Sequence, residues 1–210
     1  MSKTQDFEQQ DKEYIANTYG RFNVCFEKGK GSLLWDVEGK EYIDLGSGIG
    51  VTAFGVDDDE WSKAVIAQTH ALNHISNLYY SVPQIKLAEL LCKRTGMKKV
   101  FFCNSGAESN ECAIKAARKY SHDKYGDGRN VIVTLVNSFH GRTVTTLSAT
   151  GQDVFHQHFF PFTEGFVHTP ANDIDAALKA LANPAVCAIM MEPIQGEGGV
   201  MPLDKEFVQA

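Results

Sequence analysis

The feature that most limits how this chain can fold is an alternation, from residue 99 onward, of continuous apolar runs with segments of helical periodicity. Apolar runs at 99–104, 130–136 and 185–192 are separated by helix-like segments at 106–125 and 173–181. Strands that are apolar on both faces predict a sheet covered on both sides, and the interleaved helices favour parallel pairing. The sequence therefore predicts an α/β fold with a mostly parallel sheet.

The chain before residue 99 predicts a different kind of structure. Residues 33–45 contain two short strand-like runs around a turn, which indicates a hairpin. Helical periodicity follows at 60–74 and 82–96, and the polar first dozen residues are expected to form a loose arm. We expect residues 1–50 to form an N-terminal arm and hairpin segment, and residues 51–210 to form a larger domain.

Charge and cysteine usage exclude several classes of function. The 20 Lys and Arg residues are dispersed and the net charge is −6, which argues against a nucleic-acid surface. No apolar run approaches the roughly 20 residues of a membrane helix, and the polar start is unlike a signal peptide, so we expect a cytoplasmic protein that binds small molecules. Five cysteines without a C-x-x-C pair predict free thiols rather than disulfides or structural zinc.

Ligands of open α/β sheets bind beyond the carboxyl ends of the strands, which directs attention to three segments. The first segment, Asn104–Ala107, lies where a helix is predicted to begin. Free backbone N–H groups there can bind an anion, and Gly106 lets a phosphate approach closely. Ser105 can also simply cap the helix, with Glu108 completing a capping box, so both interpretations stay open.

The other two segments carry side chains suited to a cofactor and a carboxylate. In "NSFHGRT", Phe139 can stack on a flat ring, and Arg142 can bind a carboxylate through two hydrogen bonds. Core packing and a surface ion pair are the competing interpretations of these two residues, and His140 can be either a general acid or a structural histidine. In "MEPIQGEGGV", Glu192 directly follows a predicted strand, whereas Glu197 lies in a glycine-rich loop where it can face a substrate.

Taken together, these motifs resemble the class III, ornithine-type aminotransferases that use pyridoxal 5'-phosphate (PLP). The matching stretches are "GKGSLLWDVEGKEYIDLGSGIGV", "HISNLYY", "FFCNSGAESNECAIKAARKY", "NSFHGRT" and "MEPIQGEGGV". The resemblance implies the PLP-dependent transferase fold of type I, with residues 1–50 in the small domain and 51–210 in an incomplete large domain. It further implies transamination of N-acetylornithine, or of another ω-amino acid, with 2-oxoglutarate.

The same resemblance implies roles for individual residues. Gly106 and Ala107, with Ser105 beside them, would hold the cofactor phosphate. Phe139 would stack on the pyridine ring, Arg142 would bind the substrate carboxylate, and Glu197 would pair with an arginine farther along the chain. Relatives often have Thr where this chain has Ala107, which removes one hydroxyl contact. The family is homodimeric, and residues 77–80 would approach the neighbouring subunit's site.

PLP chemistry needs a lysine that bonds the cofactor and a carboxylate that keeps the pyridine nitrogen protonated, and the resemblance implies that both lie downstream of Ala210. No internal lysine is a convincing substitute. We therefore expect an N-terminal half of a longer enzyme that is inactive by itself, with no catalytic residue of its own. The alternative is a non-catalytic module that keeps a phosphate site or a dimer interface.

Three other motifs are weaker. "GSGIG" has Val51 where the dinucleotide-binding fingerprint requires glycine. His70 and His74 have metal-like spacing but no evident third ligand, and the pair at 156 and 158 lies in an aromatic run that favours a packed loop.

Overall fold

The computed structural model describes residues 2–210, and the chain divides into two compact units, Met1–Lys86 and Leu87–Ala210. The division falls inside the helix at Val82–Thr95. Among residues 2–210, no helix combines the length and apolar character needed to cross a membrane.

The first unit is built around a three-stranded antiparallel sheet. Strands β1 (Phe26–Lys30), β2 (Leu33–Asp36) and β3 (Glu41–Ile43) pair in sequence order, which confirms the hairpin predicted over 33–45. Asp36 closes the β2–β3 turn, because its carboxylate accepts hydrogen bonds from the N–H groups of Glu38 and Lys40 and from the Tyr42 hydroxyl. Helices α1 (Lys3–Tyr14), α2 (Asp59–Leu72) and α3 (Val82–Thr95) complete the elements that begin in this unit.

The second unit contains a parallel sheet in the order β5-β4-β6, formed by Phe166–Thr169, Val131–Leu135 and Val186–Ile189. Its helices are α4 (Gly106–Tyr125), α5 (Val144–Ala149), α6 (Ile174–Leu181) and α7 (Lys205–Gln209), with a 3-10 turn at Asp153–Phe155. A two-stranded ribbon, β7 (Ile194–Gln195) with antiparallel β8 (Met201–Pro202), follows β6.

Both faces of the central strand β4 are covered, as its continuous apolar sequence predicts. Ile132 packs with Ile114 of α4 and Ala149 of α5. Leu135 packs with Ala177 of α6 and Phe207 of α7. Because successive side chains of a strand point to opposite faces, these clusters are the two halves of the core. Strand β4 is thereby packed on both faces, and Leu135 anchors its carboxyl end.

Two local predictions differ from the structure, and two elements of the structure were not predicted. Residues 99–104 form no strand, because no described segment pairs with them and Phe101 is 63% exposed. Residues Lys3–Tyr14 form helix α1 where a loose arm was predicted, because Ser2 and Gln5 make a reciprocal capping box at its start. Strand β5 and helix α5 were not predicted. By contrast, α4 has the predicted bounds, Gly106–Tyr125.

Candidate functional site

The N-terminus of α4 is open and carries free donors. Ser105 has an extended backbone and its Oγ accepts a hydrogen bond from the N–H of Glu108 at 3.2 Å. The carboxylate of Glu108 accepts from the N–H of Asn104 at 2.6 Å rather than from that of Ser105, so the cap differs by one residue from the predicted box. Within the described chain, the N–H groups of Gly106 and Ala107 have no acceptor, as expected for the first turn of a helix.

Gly106 leaves room above these donors. A Cβ built on Gly106 would meet no heavy atom within 4 Å, so neither a neighbouring group nor a left-handed backbone explains the glycine. The space that a side chain would enter lies at the positive end of a 20-residue helix. An anion such as a phosphate monoester fits this position, because it would receive backbone N–H donors and a favourable dipole together.

The loop after β4 packs directly on this helix end. Gly141 has a φ of 129°, and a Cβ there would lie 2.8 Å from the Cβ of Ala107 and 2.6 Å from the Oγ1 of Thr146. The amide of Asn110 donates to the carbonyl of His140 at 2.8 Å, which adds a polar contact one turn farther along α4. The loop 137–142 and the candidate phosphate site on α4 are therefore adjacent, and their contact requires glycine at position 141.

Phe139 and Arg142, the two predicted ligand contacts of this loop, differ in environment. Phe139 is half-buried, and its ring meets that of Phe155 edge-on at a centroid distance of 5.9 Å. Arg142 is exposed and forms no ion pair or hydrogen bond with any residue in the described range. The surface ion pair considered for Arg142 is thus not made, and its guanidinium is available to a carboxylate.

His140 is a buried residue whose ring nitrogen Nε2 has no hydrogen-bond partner among residues 2–210. It is 4% exposed, and its backbone N–H donates to the Oγ1 of Thr150 at 2.9 Å. Burial lowers the pKa of His140, the charge of Glu192 opposes that shift, and His168 reinforces it. The imidazole is therefore held neutral in the core, which favours the structural interpretation over a general acid.

The glycine-rich loop after β6 joins the loop after β4 through several contacts. The amide of Asn137 donates to the carbonyl of Gly198 at 2.7 Å, and a Cβ on Gly198 would lie 2.4 Å from the carbonyl oxygen of Asn137. The N–H of Phe139 donates to Glu192 at 2.9 Å. The side-chain amide of Gln152 donates both to Glu197 and to the carbonyl of Ser138.

The structure therefore brings the three predicted segments into one continuous set of contacts, although the first follows an unpaired segment rather than a strand. Sequence reasoning missed the residues that connect them, Asn110, Asn137 and Gln152. Only Asn137 carried a local signal, because asparagine tolerates the left-handed backbone it adopts here, with a φ of 65°.

The lysines of α4 have exposed surroundings. Lys119 pairs with Asp123. Lys124 donates to the hydroxyl of Tyr120 at 3.0 Å, and this hydrogen bond raises its pKa. A lysine that attacks a carbonyl at neutral pH needs its pKa lowered, so the environment of Lys124 is unsuited to that chemistry. Across residues 2–210, no cluster of three or more His, Cys, Asp or Glu side chains is placed to hold a metal ion.

Comparison with known proteins identifies the family. Residues 14–210 match the family described as "Aminotransferase class-III". The acetylornithine aminotransferase of Haemophilus ducreyi is 56% identical over 202 residues, which cover 96% of this chain and 51% of the relative. The crystal structure of N-acetylornithine aminotransferase from Stenotrophomonas maltophilia shares 36% identity with a TM-score of 0.76, over 96% of this chain and 48% of that one.

A third relative is the ornithine aminotransferase of Toxoplasma gondii crystallised with oxidised glutathione, which holds PLP at partial occupancy in its active site. It is 29% identical with a TM-score of 0.93, over 98% of this chain and 49% of that one. This chain spans about half the length of the curated relatives it matches. Since the family match extends over nearly the whole chain and agrees with the α/β architecture, the chain belongs to the class III aminotransferases, a family of PLP enzymes.

Proposed function

We propose that this chain is the N-terminal half of a PLP-dependent aminotransferase that exchanges an amino group between N-acetylornithine, or a related ω-amino acid, and 2-oxoglutarate. The observation that carries the proposal is the open N-terminus of α4, packed against the loop that bears the guanidinium of Arg142. Within residues 2–210, two N–H groups at that helix end and the guanidinium have no partner, and there is space at Gly106. Curated relatives named acetylornithine aminotransferase, at 44% to 56% identity, support this amino donor.

In this proposal the residues of the site divide the binding of cofactor and substrate among them. The N–H groups of Gly106 and Ala107, with the hydroxyl of Ser105, bind the cofactor phosphate. Phe139 packs against the cofactor ring, and Arg142 binds the substrate carboxylate through its planar guanidinium. The chemistry that PLP supplies when bound is an electron sink for the substrate carbon that loses a proton.

Glu197 is proposed to lie on the substrate side of the site, where the Gln152 amide orients its carboxylate. None of the tasks assigned to these residues transfers the substrate proton. We propose that this step belongs to a lysine beyond residue 210, so the 210-residue chain by itself is expected to lack transaminase activity and to bind PLP weakly.

Four further parts of the proposal concern the whole protein. It acts in the cytoplasm and forms a homodimer, to which residues 77–80 contribute near the neighbouring site. Residues 1–50 belong to its small domain, and residues 51–210 to its large PLP-binding domain.

Sequencing the coding DNA beyond codon 210 is the first test. A further strand that ends in Asp, followed by a loop with lysine, is the expected result. Purified full-length protein should then transfer the amino group of N-acetylornithine to 2-oxoglutarate, with ornithine, succinylornithine and 4-aminobutyrate as competing donors. Formation of a stoichiometric, borohydride-stable PLP adduct on a lysine of the 210-residue chain would refute the proposed division of labour.

A further inference from the structure

Two acidic residues of the loop after β6 have different environments. Glu192 is half-buried and both of its carboxylate oxygens accept backbone hydrogen bonds, one from the N–H of Phe139 at 2.9 Å and one from the N–H of Gly196 at 3.3 Å. Glu197 is exposed, and its one hydrogen-bond partner in the described chain is the side-chain amide of Gln152. The carboxylate of Glu192 is thus occupied by backbone hydrogen bonds, whereas the carboxylate of Glu197 can exchange its hydrogen bond with Gln152 for one with a ligand.

The two amides bound by Glu192 belong to two different loops. Phe139 lies in the loop after β4, 53 residues before Glu192. Gly196 lies in the glycine-rich loop, directly before Glu197. A carboxylate that accepts two N–H groups forms charge-assisted hydrogen bonds, which are stronger than neutral ones and hold both loops in one arrangement.

We infer that Glu192 is a positioning residue that sets the location of the Phe139 ring and of the loop that carries Glu197. This inference rests on the proposed function, because it assigns to Glu192 the placement of the group that packs against the cofactor. Glu192 is the acceptor for the backbone N–H of Phe139, whose ring meets Phe155 edge-on. The two neighbouring residues are bound separately, because Ser138 accepts from the N–H of Gly151 and His140 donates to Thr150.

Glu192→Gln in the full-length holoenzyme tests the inference. The glutamine carbonyl accepts one N–H group, while its NH₂ group faces the other donor and cannot accept from it. Loss of one hydrogen bond to a charged group costs about 1.5–3 kcal/mol, so the Kd for PLP is expected to rise roughly 10- to 150-fold. Amide hydrogen exchange at Phe139 or Gly196 should accelerate, and the visible circular dichroism of bound PLP should decrease as the ring contact loosens.

Asp173→Asn is the matched control, because Asp173 also accepts a backbone N–H, from Ala176 at 2.9 Å, but at the N-terminus of α6. It should leave the Kd, the dichroism and both exchange rates unchanged. Glu192→Asp is the second variant, which keeps the charge and serves if Glu192→Gln does not fold. Its shorter side chain should give an intermediate Kd and faster exchange at one of the two amides.

The outcomes separate the inference from the proposed function. If the wild-type full-length protein, mixed with PLP, shows no visible circular dichroism from bound PLP, the proposed function itself is wrong. If the wild type binds PLP normally and Glu192→Gln or a folded Glu192→Asp matches it in Kd, dichroism and exchange at Phe139, Glu192 does not position the ring and the inference is wrong. A general loss of stability with unchanged dichroism per bound PLP would also overturn it, since that result assigns Glu192 to folding alone.

Discussion

Gly106→Ala distinguishes a helix that is merely capped from one that receives a phosphate, because both roles predict a more stable free chain but only the phosphate role predicts weaker binding of PLP. Gly106 is the first residue of α4, it does not have a positive φ, and a Cβ built on it meets nothing within 4 Å. Alanine therefore fits the free protein without strain. The same Cβ would enter the space through which a phosphate reaches the N–H groups of Gly106 and Ala107.

Stability of the free chain should increase. Alanine reduces the conformational entropy of the unfolded chain relative to glycine, which is worth about 0.4–1 kcal/mol where the backbone is compatible. For a chain of this length that corresponds to a rise in Tm of about 1–4 °C. Thermal unfolding of the 210-residue chain without PLP, followed by circular dichroism, measures this effect.

Binding of PLP to the full-length protein should weaken. Adding a methyl group to a close-packed contact costs about 1–3 kcal/mol, which corresponds to a Kd roughly 5- to 150-fold higher. Equilibrium dialysis gives this value. A higher Tm without any change in Kd would mean that the phosphate does not approach Gly106.

Three further predictions concern the loop after β4. Gly141→Ala should lower the free energy of unfolding by about 2–5 kcal/mol, from backbone strain and from the clash with Ala107, and a chemical unfolding curve measures it. Arg142→Gln should change the free energy of unfolding by no more than about 0.5 kcal/mol, since the side chain has no partner within residues 2–210. It should lower kcat/KM of the full-length enzyme about 10- to 150-fold, and an unchanged kcat/KM would exclude Arg142 as the carboxylate ligand. Because burial lowers the pKa of His140, this residue takes up a proton near pH 6.5 in the unfolded chain but not in the folded chain. The free energy of unfolding should therefore fall as the pH drops below that value, and His140→Gln should make this fall smaller between pH 7.5 and 5.5.

The elements that sequence reasoning predicted well are those specified by local interactions. Helix α4 has a serine cap before it and Gly126, with a φ of 80°, after it, and both signals lie within a few residues of its ends. Strand formation depends on a partner instead. Residues 99–104 have the apolar composition of a strand, yet without a neighbouring strand they form none. Strand β5 was missed because its pattern is short and its partner, β4, lies some 30 residues earlier.

The candidate site shows the same distinction. Phe139, Arg142 and Glu197 could be selected because their side-chain chemistry is visible in the sequence. The side chains that hold these residues in place could not, since Asn110 lies inside a helix and Gln152 in an irregular loop, and each contacts a residue distant along the chain. Which polar group meets which is decided by how α4 and the loops fold against β4, and that is a property of the tertiary structure.

The two interpretations of the α4 N-terminus no longer compete, because they use different backbone groups. The cap satisfies the N–H of Glu108 through Ser105, and the Glu108 carboxylate turns back to Asn104, outside the helix. These contacts consume none of the donors of Gly106 and Ala107, which are the groups assigned to the phosphate. The cap also fixes the first turn of α4 before any ligand binds. The N–H groups of this turn are therefore already ordered, and ordering them does not reduce the free energy of binding. Capping therefore supports the proposed phosphate site, because Ser105 and Glu108 hold the first turn of α4 in the conformation that presents the N–H groups of Gly106 and Ala107.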